Sequence, residues 1–138
     1  MRTNAAEGPL RDTVYIVAPL PEERGRIAEA LSADQIDVRA FVSAEELTAQ
    51  LGSRACGCVV APVDLPGVGI RSLIEEIRRR QVCLTVVVLG REDDLRLAVD
   101  LVRAGAAEFV EHPFNVRRLR AAVRRAIASS RVAHAHSR

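Results

Sequence analysis

Lysine is absent from this chain of 138 residues, and all 20 of its basic residues are arginine. Any chemistry that needs a lysine ammonium, such as a Schiff base or a point-charge phosphate ligand, is therefore excluded. Tryptophan is also missing, and aromatic residues make up 3% of the chain, too few for a base-stacking platform. Net charge is only +2, so the chain as a whole makes no case for nucleic acid. No apolar run approaches the roughly 20 residues that span a bilayer. The first residues, Met1 to Arg11, contain Glu7 and Gly8 and no apolar core of a signal peptide, which leads us to expect a cytoplasmic protein with no membrane association.

Hydrophobic residues account for 49% and charged residues for 28%, the balance of an ordinary globular domain. A chain of this size buries roughly 70% of its unfolded surface, enough for a core without covalent staples. Short β-rich runs alternate with longer amphipathic ones. The pattern predicts strands at Thr13 to Val17, Ile36 to Ala40, Gly57 to Ala61, Leu84 to Leu89 and Ala107 to Val110. It predicts helices at Glu22 to Ser32, Ala44 to Leu51, Ile70 to Arg79, Asp94 to Ala104 and Val116 to Ser129. Ser43 and Glu46 form a capping box, Asn115 is a helix cap, and Gly52 and Gly105 read as helix stops. Strands that are aliphatic throughout belong to a parallel sheet buried on both faces, so the fold expected is α/β, a doubly wound five-stranded parallel sheet with five helices. Residues 1–12 and 130–138 are expected to be flexible tails around a domain at 13–129, with no output domain.

Ligands in such folds sit at the carboxyl ends of the strands. Here those ends read Ala18-Pro19, Ala61-Pro62-Val63-Asp64 and Leu89-Gly90, and they are almost uncharged. The run Tyr15-Ile16-Val17, the segment Phe41 to Leu47, the turn Leu65-Pro66-Gly67, and Ala98-Val99 with Arg103 to Phe114 together resemble the receiver domain of bacterial two-component response regulators. The likeness is to the NtrC and FixJ-like branch, with the flavodoxin-like, CheY-like (βα)5 arrangement. It spans roughly Thr13 to Ile127.

The resemblance implies two metal-binding acids after the first strand, a phosphoryl-accepting aspartate ending the third, a hydroxyl residue after the fourth and a lysine after the fifth. The corresponding residues here are Ala18 and Pro19, Pro62, Leu89 and His112, so Mg²⁺ binding is expected to be lost and no cofactor is expected. Asp64 is the one surrogate acceptor near the third strand end. Phe109 matches the family's switch aromatic, and we expect it to pack against Leu89 in a locked conformation. His112 reads as a polar loop residue, and Glu22 and Glu23 as favourable charge in a first helical turn.

Cys56 and Cys58 lie on one strand face, and Cys83 begins the neighbouring strand. A three-thiolate site is conceivable, but buried cysteines acting as small hydrophobes are the simpler expectation. The tail histidines His134 and His136 are assigned to a frayed end. No nucleophile and base pair is visible, so no enzyme is expected. The arginines of the last helix, Arg117, Arg118, Arg120, Arg124 and Arg125, read as a solvated face rather than a nucleic-acid surface. The resemblance also implies a partner face on helix four, strand five and helix five, with Asp100, Arg103, Glu108, Arg118 and Arg124 forming ion pairs across it. The chain is thus expected to signal without phosphorylation, by binding a histidine kinase, another response regulator or itself. A small-molecule or redox sensor using the crevice or the cysteines, or residual phosphorylation at Asp64, is the alternative.

Overall fold

A computed structural model describes residues 13–32, 36–67, 69–91 and 95–136. The elements alternate β1 Thr13–Val17, α1 Pro21–Leu31, β2 Asp37–Phe41, α2 Ala44–Gln50, β3 Cys56–Pro62, α3 Gly69–Arg80, β4 Cys83–Gly90, α4 Leu95–Ala104, β5 Glu108–Glu111 and α5 Val116–His136. The five strands form one sheet in the order β2-β1-β3-β4-β5, and every pairing is parallel. This is the doubly wound (βα)5 arrangement that the alternation predicts.

Period-two alternation in the strands divides the core into two layers. On one face Tyr15, Val17, Val59, Ala61, Val86 and Val88 pack with Leu47 of α2, Leu73 and Ile74 of α3 and Leu101 of α4. On the other, Val14, Ile16, Cys58, Val60, Val87, Leu89 and Val110 pack with Ile27 of α1 and Leu119, Val123 and Ile127 of α5. A one-residue slip in any strand would exchange these faces, so the register is fixed by both layers.

The helix ends follow local chemistry. Ser43 Oγ accepts from Glu46 N–H at 3.1 Å, while Glu46 reaches back to accept from Val42 N–H at 2.9 Å. Asn115 Oδ1 accepts from the N–H groups of Arg117 and Arg118. Gly105 sits at φ +129, and a Cβ there would fall 2.5 Å from Arg78 Cδ, so glycine is required after α4. Gly52 does not act as a stop: α2 ends at Gln50, and its cap Leu51 is already extended. The last helix also outruns its expected end at Ser129 and continues to His136, so the segment expected to be a tail from residue 130 is helical that far. Ser130 supports the continuation by packing inward at 2% exposure. Residues 1–12, and Asp94 at the expected start of α4, lie outside the described residues. No helix among the described residues is long and apolar enough to cross a membrane.

Candidate functional site

The strand ends expected to carry function converge as the topology requires, but with apolar side chains. Ala18 is wholly buried in the layer facing α1 and α5. Its N–H donates to Phe41 O, extending the β1–β2 ladder by one residue. Pro62 closes β3 opposite Leu89, and the next residue returns to the ladder through Val63 N–H to Leu89 O at 2.7 Å. Asp64 is exposed in the turn that follows.

The β1–α1 loop is held by a cation from the protein itself. Arg24, in the first turns of α1, donates from Nη1 to Ala18 O at 2.7 Å and to Pro19 O at 3.4 Å. Nothing in the spacing of the sequence marks Arg24 for this role. Mg²⁺ takes several hard oxygen ligands, with carboxylates foremost. The side chains of Ala18, Pro19 and Pro62 offer none, and a guanidinium already takes the carbonyls of Ala18 and Pro19. This donor set does not fit the metal.

His112 is not an isolated loop residue. Its Nε2 lies 3.8 Å from Glu23 Oε2, and its N–H donates to Gly90 O. Its buried Nδ1 has no hydrogen-bond partner among the described residues. Glu23 therefore serves as more than first-turn charge: α1 carries it to the β5–α5 loop, a contact that spacing along the chain does not reveal. Glu22, in contrast, remains exposed beside Arg26. Leu20, Pro21, Glu22, Glu23, Arg26 and His112 line an open groove of about 530 Å³.

The expected packing of Leu89 against Phe109 is incorrect. Leu89 belongs to the α1 and α5 layer, whereas Phe109 packs against the opposite layer, on the side of α2, α3 and α4. The residue beside the Phe109 ring is Gly90, where an added Cβ would lie 2.3 Å from Phe109 Cζ. Alternation along β4 carries this signal, because Val86, Val88 and position 90 share a face. The ring thus fills the space in which any side chain at the end of β4 would stand.

On the expected partner face, Asp100, Arg103, Arg118 and Arg124 are exposed, as are Val99 and Val102 at 45% and 49%. Glu108 differs from expectation, since Arg125 holds it within the chain through two hydrogen bonds of 3.1 Å. That pairing raises the basicity of Arg125. Arg120 is also engaged, donating to Ala30 O at 2.8 Å and tying α5 to α1. The three cysteines do not form a cluster: Cys56 and Cys83 adjoin, while Cys58 lies buried opposite Thr85. Among the described residues no group of three His, Cys, Asp or Glu side chains is placed to hold a metal ion.

The sheet order and the position of the crevice define a receiver-type doubly wound α/β domain. Its sequence matches the response regulator receiver domain family over residues 14–124, and the chain belongs to that family. Over 74 residues it is 36% identical to the transcriptional regulatory protein FixJ of Azorhizobium caulinodans, covering 54% of this chain and 35% of that protein. It is 26% identical over 118 residues to the DNA-binding transcriptional regulator NtrC of Salmonella typhimurium, covering 86% of this chain and 25% of that protein. The crystal structure of full-length FixJ from B. japonicum superposes with a TM-score of 0.78 at 26% identity, covering 86% of this chain and 59% of that one. The chain thus spans less than two thirds of the length of each of these relatives, and it is a receiver domain of the NtrC and FixJ-like branch.

Proposed function

We propose that this receiver domain signals in a two-component pathway through protein–protein contact that does not depend on phosphorylation. The observation that carries the reading is the crevice. The ends of β1, β3 and β4 present Ala18, Pro19, Pro62, Leu89 and Gly90, none of which can accept a phosphoryl group, bind Mg²⁺ through a side chain or donate a hydroxyl hydrogen bond. Phe109, packed where a side chain at position 90 would stand, has no room to report a change there. On this reading the domain holds one conformation, binds no cofactor, catalyses no reaction and acts in the cytoplasm.

The partner is a histidine kinase, another response regulator or a second copy of the chain. The half-exposed Val99 and Val102 on α4 supply apolar contact area, and Asp100, Arg103, Arg118 and Arg124 supply charges that set orientation. Nucleic acid is disfavoured because Arg120 and Arg125 of the basic helix are committed within the fold. Sedimentation across a concentration range, with and without a small-molecule phosphoryl donor and Mg²⁺, tests the reading alongside titration of candidate kinase domains. Association and binding unchanged by the donor are expected. Association or kinase binding that rises with the donor would overturn phosphorylation independence.

A further inference from the structure

At the opposite end of the sheet from the crevice, where β3 and β4 begin, Cys56 and Cys83 are direct partners in the strand register. Their sulfur atoms are 2.6 Å apart, and both residues are half-buried, so the pair meets solvent. Paired strands hold their backbones within the range a disulfide spans, and the sulfurs need approach by only roughly half an ångström to bond. The third cysteine does not compete on equal terms, being wholly buried two residues along β3 opposite Thr85. Above the pair lies α5: Cys83 Sγ is 3.8 Å from Ser130 Oγ, itself buried and donating to Ile127 O at 2.7 Å. One turn earlier, Thr85 Oγ1 donates to Ala126 O, so the start of β4 is stitched to the same stretch of helix.

We propose that Cys56 and Cys83 form an oxidisable dithiol whose disulfide state is communicated to the C-terminal half of α5, with hydrogen peroxide as the oxidant. One thiolate attacks the peroxide O–O bond, forming an S–O bond and a sulfenic acid and releasing water once the departing oxygen is protonated. The neighbouring thiolate then attacks that sulfur, the S–S bond forms, the S–O bond breaks and a second water leaves. Two thiols give up two protons and two electrons, and hydrogen peroxide is reduced to two waters. Disulfide formation removes the Cys83 S–H, and since Ser130 Oγ already donates its own hydrogen to Ile127 O, the contact from Cys83 to α5 loses its donor and loosens. The site is separate from the strand-end crevice and does not depend on the reading given for it.

The test is mild hydrogen peroxide treatment of the folded chain followed by intact mass and tryptic mapping. Arginine cleavage places Cys56 and Cys58 in the peptide 55–71 and Cys83 in the peptide 81–91. The expected result is a loss of about 2 Da, the two peptides joined at a rate independent of protein concentration, and reversal by a dithiol reductant. The link should persist in Cys58→Ala and vanish in Cys56→Ser and Cys83→Ser. Amide hydrogen exchange from Ala126 to Ser130 should be faster in the oxidised protein. No joined peptide from the wild-type chain, or a link that survives in Cys56→Ser, would overturn the site. Unchanged exchange in a fully linked protein would overturn its connection to α5.

Discussion

At Gly90 the missing side chain leaves the space that the Phe109 ring fills. A hydroxyl residue at position 90 of this chain would bring its Cβ 2.3 Å from Phe109 Cζ, so that the ring would have to shift. Gly90→Thr should therefore destabilise the fold by about 1–3 kcal/mol through overpacking, read as a lower midpoint in urea unfolding. In a Phe109→Ala background the same substitution should cost much less, because the two residues share one space. Equal costs in both backgrounds would show that the ring yields freely. Tyr15 offers a second residue-scale test. Its phenol is held above its ordinary pKa of 10.0 by burial, with Arg39 opposing. The folded state binds the phenolic proton more tightly than the unfolded state does. Its contribution to stability is accordingly complete below about pH 10 and lost as pH rises through the folded value. As Tyr15 is the sole tyrosine and tryptophan is absent, ultraviolet absorbance of tyrosinate reads it directly. The midpoint should lie above that measured in denaturant.

At the scale of the element, most of what positions the crevice was legible. Aliphatic runs bounded by Pro and Gly marked the strands to within a residue or two, and Ser43, Glu46 and Asn115 cap the helices as their spacing implies. Ser43→Ala should cost about 1 kcal/mol, seen as a lower urea midpoint, and a neutral result would mean that packing of Leu47 alone holds α2. What spacing did not reveal depends on contacts between elements. Gly52 resembles a helix stop, yet extended Leu51 ends α2 before it. Glu23 looks like ordinary first-turn charge until α1 brings it to His112. Glu108 was assigned to a partner face through the resemblance, and its pairing with Arg125 on the next element is not visible in sequence spacing. Leu89 was placed beside Phe109 although alternation along β4 points it to the other face; in that case the signal was present and misread.

For the whole molecule, the central claim is that the receiver fold is retained while its phosphoryl chemistry is not. With Arg24 donating to the carbonyls of the β1–α1 loop and no carboxylate side chain at Ala18, Pro19 or Pro62, Mg²⁺ should leave the melting temperature unmoved. A rise that saturates with Mg²⁺ would reveal a retained site. The most direct measurement is an amide NMR titration of the chain with Mg²⁺ and beryllofluoride, a phosphoryl mimic, repeated on Asp64→Asn. The account predicts no specific shifts at Asp64, Gly90, Phe109 or His112 in a well-folded protein. Saturable shifts at those positions that disappear in Asp64→Asn would show that the exposed turn after β3 accepts phosphoryl groups, and would contradict it.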